Sequence, residues 1–308
     1  MVMKIILDCD PGHDDAVAML LACQHLEVLG ITTVSGNVPL ERTTENALKV
    51  VELGGIKVPV VRGAHRPLVR EPHHALDIHG RSGLDGPELP QPVTPLHGQH
   101  AVEFIIDTVL ATDEVRLVPT GPLTNIALAL RLEPRLAKRV PEISLMGGSL
   151  TFGNRTAAAE FNIYADPEAA QVVFTSGIPI KMSGLNLTHQ AGVGRSEIAQ
   201  LRQLGNRTGT VVAAMLEFAV GAYAQVYDQD YYPLHDPCAV AALIDPSLIQ
   251  FQPYFVQVML EGPARGMTLC DQRRRGAPYW QEPNAQVGIK LDRKRFFDLL
   301  IDTLRQYP

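Results

Sequence analysis

The sequence predicts a single α/β domain, with a mostly parallel central sheet flanked by helices and a functional site at the C-terminal ends of the strands. Short apolar runs alternate with helical segments through the first 180 residues, which is typical of a parallel sheet with crossover helices. Polar or glycine-bearing loops follow the apolar runs, as at residues 8–15, 35–37 and 119–125. No stretch of linker composition interrupts residues 1–308, so one domain is expected.

Apolar, β-branched runs bounded by turn residues predict the strands. They fall at residues 5–7, 28–34, 58–61, 115–118, 143–146 and 178–182, with two late strands, open to an antiparallel addition, at 255–260 and 285–289. Helical periodicity and capping residues predict the helices. These fall at residues 16–23, 41–53, 101–111, 123–132, 167–176, 197–204, 210–223, from 236 onward, and at 292–305. Residues 62–100 are rich in Pro, Gly and His and are predicted to be irregular.

Composition excludes several classes of function. A hydrophobic fraction of 46% is sufficient for a large core, and the net charge of −6 argues against nucleic-acid or anionic-membrane partners. The four cysteines have no metal-binding spacing and suggest no disulfide framework. No signal peptide and no membrane-spanning run is predicted, so a cytoplasmic location is expected.

Four acidic residues lie within eight positions of the first strand: Asp8, Asp10, Asp14 and Asp15. Carboxylates packed this closely repel one another unless a cation or protons neutralise them. A set of oxygen ligands without Cys or His favours Ca²⁺ or Mg²⁺. The simpler reading is that Asp14 or Asp15 caps the following helix and the remaining acids are solvated.

Residues 8–16, Asp-Cys-Asp-Pro-Gly-His-Asp-Asp-Ala, resemble the amino-terminal signature of the nucleoside hydrolases, the inosine–uridine-preferring family of N-ribohydrolases. Residues 79–84 and 159–169 also resemble segments of this family, and the similarity extends over nearly the whole chain. The resemblance implies hydrolysis of ribonucleosides to free base and ribose through an oxocarbenium-like transition state.

The resemblance also implies a metal site with one Ca²⁺ per subunit. Its ligands would be Asp10, Asp15, Asp236 and the main-chain carbonyl of Thr120, and Asp10 would be the general base for the water that the metal binds. Asp236 could instead simply cap its helix. Asp8 is expected to be buried and bonded to loop amides, orienting the ligands from behind.

The ribose contacts implied by the resemblance come from several separate segments. They are Asp14, Asn37, Met146, Asn154, Glu160 and Asn162. Taken alone, Asn37 and Asn154 could be turn residues. Glu160 is flanked by apolar residues and therefore needs a polar partner.

The base pocket is expected to involve His235, which directly precedes Asp236, and His79. His235 would help the base to depart as a catalytic residue. Tyr223 and Tyr227 lie four residues apart and so share a helical face. They resemble the tyrosine pair of the pyrimidine-preferring members, which favours uridine and cytidine over inosine, although core packing explains the same spacing.

Three alternatives remain open from the sequence. A purine-preferring or broad-specificity hydrolase has the same signature, and a non-catalytic nucleoside-binding protein could have the same fold. A phosphohydrolase is disfavoured because Pro11 and Gly12 occupy the positions that follow the second Asp. The resemblance further implies a homo-oligomer, either a tetramer or a dimer, with a small-molecule ribonucleoside as substrate.

Overall fold

The computed structural model describes residues 2–308 and contains one nine-stranded sheet with helices on both faces. The strands are β1 (Lys4–Cys9), β2 (Glu27–Thr33), β3 (Val60–Arg62), β4 (Val115–Pro119), β5 (Ile143–Met146), β6 (Ile180–Ser183), β7 (Gly192–Val193), β8 (Tyr232–Pro233), β9 (Ile249–Val258), β10 (Thr268–Asp271) and β11 (Ala285–Leu291). Strands β7 and β8 form a separate two-stranded pair.

The helices follow the strands in the order expected of an α/β fold. They are α1 (His13–His25), α2 (Leu40–Leu53), α3 (Leu76–His79), α4 (Ala101–Ala111), α5 (Thr124–Leu132), α6 (Leu136–Arg139), α7 (Phe161–Ala165), α8 (Pro167–Phe174), α9 (Leu185–Thr188), α10 (Arg195–Gln203), α11 (Arg207–Tyr227), α12 (His235–Ile244) and α13 (Arg293–Leu304). A short 3₁₀ turn at His189–Ala191 follows α9.

The order of strands across the sheet is β10-β9-β11-β6-β5-β4-β1-β2-β3. All neighbours from β11 to β3 are parallel, whereas β9 pairs antiparallel with both β11 and β10. The predicted mostly parallel sheet is therefore confirmed, and the late antiparallel strands are present. Strand β10 was not predicted, because its four residues have no distinctive apolar pattern.

The core consists of two apolar layers, one on each face of the sheet. Ile5 and Leu7 pack with α1, α2, α11, α12 and α13 on one face, and Ile6 packs with α4, α5 and α8 on the other. This division follows from the alternation of side chains along a strand. Because both faces are covered, β1 is apolar at every position before its first acid.

The expectation that no apolar segment has membrane-spanning length is wrong for α11. Its 21 residues, Arg207–Tyr227, are long and apolar enough by length and composition alone. Within the described residues α11 packs against α10, α1 and α3 through its buried side chains, and the rest of its surface is half-buried or exposed. The helix also continues through Tyr223 to Tyr227, four residues beyond the predicted end.

Several helix ends explain how the site residues are held. Helix α12 begins at His235 rather than at Asp236, so Asp236 lies in the first turn instead of capping the helix. Asp292 caps α13 as predicted, because its side chain accepts from the main-chain N–H of Arg295 at 3.2 Å. Residues 63–100 are irregular apart from α3, as expected.

Candidate active site

The site lies where β2, β1, β4 and β5 end side by side. The loop after β1 supplies Asp10, Asp14 and Asp15, while Thr120 directly follows β4 and Met146 ends β5. Parallel neighbours deliver their C-terminal loops to the same edge of the sheet. Residues that are more than 100 positions apart in the chain therefore meet at one place.

Three carboxylates form the centre of the site. Asp14, Asp15 and Asp236 each place an oxygen within 4.8 Å of the others, and all three side chains are buried. Helix α1 carries two of them and α12 the third, and these helices pack against each other. Asp14, which was predicted as a ribose contact, thus lies in this cluster.

Asp10 lies beside the cluster, and only one of its two carboxylate oxygens accepts a hydrogen bond within residues 2–308. Its Oδ2 accepts the main-chain N–H of Asn37 at 2.6 Å, whereas its buried Oδ1 has no hydrogen-bond partner among residues 2–308. A Cβ at Gly36 would lie 2.0 Å from Oδ2, and one at Gly121 would lie 2.5 Å from Oδ1. Both positions need glycine because the carboxylate approaches the backbone so closely.

Burial and mutual repulsion dominate the electrostatics of the cluster. Burial, followed by the charge of Asp14, raises the pKa of Asp15 to about 6. Burial also raises the pKa of Asp10 and of Asp236 well above the usual range, and the neighbouring carboxylates raise both further. Without a cation the site therefore disfavours its own full ionisation.

A second layer of polar contacts holds these carboxylates in place. Asp15 accepts from the Thr120 hydroxyl at 2.9 Å, from the main-chain N–H of Gly12 at 3.0 Å and from the Asn37 amide at 3.2 Å. Asp8 is buried as expected, but the predicted loop-amide partners are wrong. Its side chain instead accepts from Thr32 Oγ1 at 2.5 Å and Asn125 Nδ2 at 2.8 Å, and burial raises its pKa to about 7.

One pocket joins these groups and encloses about 550 Å³ of space, including its open mouth. Every predicted site residue lines it except Asp10 and Asp15, which do not reach its surface. The predicted lining residues are Asp14, Asn37, His79, Thr120, Met146, Asn154, Glu160, Asn162, Tyr223, Tyr227, His235 and Asp236.

Backbone hydrogen bonds fix the acidic and amide side chains of this pocket. Glu160 caps α7: its Oε1 accepts from the N–H of Asn162 at 2.8 Å, and its Oε2 accepts from the N–H of Gly148 at 2.8 Å. These backbone N–H groups are the polar partners expected for an acid that apolar residues flank. Burial still raises the pKa of Glu160 to about 7. The Asn162 amide donates to the Thr120 carbonyl at 2.6 Å, and Asn154 Oδ1 accepts from the N–H of Phe161 at 2.9 Å.

Aromatic rings line another part of the pocket. The rings of Tyr223 and Tyr227 lie 4.5 Å apart, and the Tyr227 hydroxyl donates to the main-chain carbonyl of Asn154 at 3.0 Å. Burial raises the pKa of Tyr223 and Tyr227. His79 stacks on His13 with ring centroids 5.3 Å apart, and burial lowers the pKa of His79 to about 3.

His235 lies between the acidic and aromatic parts of the site. Its Nδ1 lies 2.7 Å from the Thr188 hydroxyl, and its ring lies 5.7 Å from that of His189. Burial, and then the proximity of His189, lowers the pKa of His235 well below its usual value. Burial thus disfavours the charged form of this ring.

The sequence analysis missed several residues of the site. The Tyr232 hydroxyl donates to Asp14 Oδ1 at 2.7 Å, and Arg155 at the pocket pairs with Asp77 at 3.2 Å. His13 Nε2 lies 2.8 Å from the carbonyl of Asp85 and so supports the segment that carries His79. Tyr232, three residues before His235, could have been suspected, but nothing in the sequence distinguishes it from Tyr231.

The comparisons with known proteins decide the family. Residues 5–298 match the model of the inosine-uridine preferring nucleoside hydrolases. The chain belongs to this family. It is also 43% identical to the pyrimidine-specific ribonucleoside hydrolase RihB of Escherichia coli, over 99% of this chain and 97% of that protein.

Solved structures of nucleoside hydrolases agree with this assignment. The purine-preferring ribonucleoside hydrolase from Gardnerella vaginalis superposes with a TM-score of 0.91 at 36% identity, covering 98% of both chains. The plant nucleoside hydrolase PpNRh1 gives a TM-score of 0.91 at 34% identity, covering 99% of both. The chain is thus a ribonucleoside hydrolase, an N-glycosidase, with the acidic cluster expected of a metal-dependent family.

We predict that Asp236→Asn stabilises the metal-free protein at high pH. Because the folded-state pKa of Asp236 is raised, its ionisation opposes folding; this cost is absent below the unfolded value of about 3.9 and grows as the pH rises above it. In chelator at pH 8 the variant should unfold at a temperature a few degrees higher than the parent. Thermal unfolding followed by circular dichroism measures this shift.

The same comparison at pH 4.5 should show a much smaller difference. Glu88→Gln, which changes an exposed acid, is the matched control and should shift the unfolding temperature at neither pH. If the cluster binds Ca²⁺, excess Ca²⁺ should reverse the order, because the parent would gain binding energy that the variant loses. A variant that is less stable than the parent at pH 8 in chelator would contradict the proposed repulsion.

Proposed function

We propose that this nucleoside hydrolase prefers pyrimidine ribonucleosides, uridine and cytidine, and binds one Ca²⁺ per subunit. The observation that carries the proposal is the convergence of buried carboxylates beneath a pocket that has amide groups near them and tyrosine and histidine rings elsewhere. The acidic part suits a cation and a ribose diol, whereas the aromatic part suits a planar base.

The residues fit a hard divalent cation. The unpartnered Oδ1 of Asp10 and the clustered oxygens of Asp15 and Asp236 are the kind of ligand that Ca²⁺ takes. The Thr120 carbonyl accepts only the Asn162 amide, so it retains a lone pair for a ligand. When bound, such a cation lowers the pKa of a coordinated water and grips vicinal hydroxyls. Asp14 is a member of the same cluster and is proposed to bind either the cation or the ribose.

Asp10 is the proposed general base. Asp10 Oδ2 accepts the N–H of Asn37 and keeps a further lone pair, so this oxygen is the proposed acceptor of the proton from the attacking water, while Oδ1 is left to the cation. Gly36 and Gly121 leave room for this carboxylate, because a Cβ at these positions would lie 2.0 Å and 2.5 Å from its oxygens.

The ribose is proposed to bind to the residues around the acidic part of the pocket. Asn37 and Asn162 are held by hydrogen bonds to Asp15 and Thr120, so their amides are already oriented. Met146 offers an apolar surface to the sugar ring. Asn154 and Glu160 complete the proposed set, and Glu160 is fixed by three backbone N–H groups.

The departing base is proposed to lie against His79, Tyr223, Tyr227 and His235. These four rings line the same pocket as Asp14 and Asp236. The pyrimidine preference is supported by the 43% identity to RihB, which is named pyrimidine-specific. The purine-preferring alternative retains support from the Gardnerella vaginalis enzyme, which is 36% identical.

A homo-oligomeric state, dimer or tetramer, and a cytoplasmic location remain part of the proposal. The four cysteines are unpaired within residues 2–308, which fits a reducing compartment. The oligomeric state follows from the family resemblance alone.

A substrate panel tests the proposed specificity. Ribose release should be fastest with uridine and cytidine, slower with inosine and adenosine, and slowest with 2′-deoxyuridine, which lacks one hydroxyl of the diol. Chelator should abolish release, and Ca²⁺ should restore it. A higher kcat/KM for inosine than for uridine would favour the purine alternative, and activity unaffected by chelator would overturn the metal site.

Asp10→Asn tests the general base. The substitution keeps the size of the side chain but removes its proton affinity, so kcat for uridine should fall by about 10²-fold or more. Circular dichroism should show an unchanged fold. Asp113→Asn, at an exposed acid outside the site, is the matched control. Turnover of Asp10→Asn near the parent rate would remove this mechanism.

His235→Ala tests assistance to the leaving group. It should slow uridine hydrolysis by about 10²-fold or more, because uracil departs poorly without a hydrogen-bond or proton donor. Hydrolysis of 4-nitrophenyl β-D-ribofuranoside should change little, since 4-nitrophenolate departs without help. Steady-state kinetics on both substrates measures the contrast, and equal slowing of the two would exclude the assigned role.

A further inference from the structure

Thr188 contacts the proposed catalytic residue His235. It is the last residue of α9, is fully buried, and lies 47 positions before His235 in the chain. Helix α9 packs against α12, and this packing brings the Thr188 hydroxyl within 2.7 Å of His235 Nδ1. The distance is typical of a short, well-formed hydrogen bond.

The direction of this hydrogen bond follows from the hydroxyl's other options. The Thr188 hydroxyl has no second hydrogen-bond partner among residues 2–308. If His235 Nδ1 carried a proton, the hydroxyl would have to accept it, and its own hydrogen would be buried without an acceptor. Buried donors are rarely left in that state because they lose their hydrogen bonds to water. The hydroxyl therefore donates, and Nδ1 accepts.

This direction determines where the histidine carries its proton. A neutral imidazole with a lone pair at Nδ1 has its hydrogen at Nε2. The same argument disfavours a doubly protonated ring. Its Nδ1–H would donate to the Thr188 hydroxyl, whose own hydrogen would again be buried without an acceptor. Nε2 has no protein partner among residues 2–308, and the side chain lines the pocket. The nitrogen available to a ligand is thus an N–H donor.

Neighbouring rings hold the imidazole in this orientation. His189 and Tyr232 lie edge-on to His235, with ring centroids 5.7 Å and 6.3 Å away. A half-turn of the ring would put Cδ2 where Nδ1 now lies and break the Thr188 bond, and the turning ring would press against these neighbours.

We infer that Thr188 is a positioning residue that fixes His235 in the Nε2–H tautomer, so that the side chain meets the departing base as a hydrogen-bond donor. The kinetic consequence rests on the proposed function, whereas the tautomer does not. A fixed donor stabilises the negative charge that develops on the base as the N-glycosidic bond breaks.

Nuclear magnetic resonance tests the tautomer directly in the chain of residues 1–308 loaded with Ca²⁺. The carbon shifts of a histidine ring distinguish the two neutral tautomers, and the spectrum of His235→Asn assigns the signal among the ten histidines. His235 should be the Nε2–H form at pH 7.5. An Nδ1–H form or an imidazolium would overturn the inference, whether or not the protein hydrolyses uridine.

Kinetics of Thr188→Val and Thr188→Ser test the consequence. Valine keeps the shape without the hydroxyl, so kcat for uridine should fall about tenfold or more while KM changes little. Hydrolysis of 4-nitrophenyl riboside should be nearly unchanged, and Thr188→Ser should recover most of the loss. If another nucleoside proves to be the better substrate, the same comparison is made with it.

Thr208→Val is the matched control for removing a buried hydroxyl. Thr208 is fully buried in α11, and its hydroxyl donates only a long bond of 3.5 Å to the Leu53 carbonyl. This variant should retain the parent kcat on both substrates. Equal loss on both substrates in Thr188→Val, or no recovery in Thr188→Ser, would show a merely structural role. If Thr188→Val fails to fold, the parent spectrum still decides the tautomer.

Discussion

The burial of like charges at one edge of the sheet is the constraint on which the rest of the site depends. Asp14, Asp15 and Asp236 lie within 4.8 Å of one another in a place that water reaches poorly. Such an arrangement opposes folding unless protons or a cation compensate it. Surrounding groups therefore hold the oxygens against their repulsion: the Thr120 hydroxyl, the Gly12 and Asn37 amides and the Tyr232 hydroxyl. Any metal ion that binds at this cluster therefore also stabilises the fold.

The architecture separates the two chemical tasks of an N-glycosidase. The strand ends and the first turns of α1 and α12 carry the acids, which suit the sugar and the water. Helix α11 and the segment around α3 carry the rings, which suit the base. The ion pair of Arg155 with Asp77 and the bond from the Tyr227 hydroxyl to Asn154 join these elements near the pocket.

Hydrogen-bond satisfaction determines the chemical state of the side chains at this site. Asp10 retains one oxygen without a protein partner, whereas all the bonds recorded to the Glu160 carboxylate come from backbone amides. His235 has one nitrogen occupied by Thr188 and the other available to a ligand. An unengaged polar atom beside a pocket is a place for substrate, metal or water. Asp10 and Glu160 are both buried acids, but only Asp10 has a carboxylate oxygen without a hydrogen-bond partner in residues 2–308, which supports different roles for the two.

The sequence alone determined the α/β class, most strands and helices to within a few residues, and the family, because local periodicity and the acid-rich signature are short-range features. It also indicated that Asp10, Asp15 and Asp236 act together, but only through a resemblance. Tertiary structure decided what depends on distant segments: that Asp14 joins the cluster, that Asp8 binds Thr32 and Asn125, and that Tyr232 and Thr188 support the site. These contacts span up to 218 residues, and their geometry depends on how helices pack on the sheet, which no local pattern records.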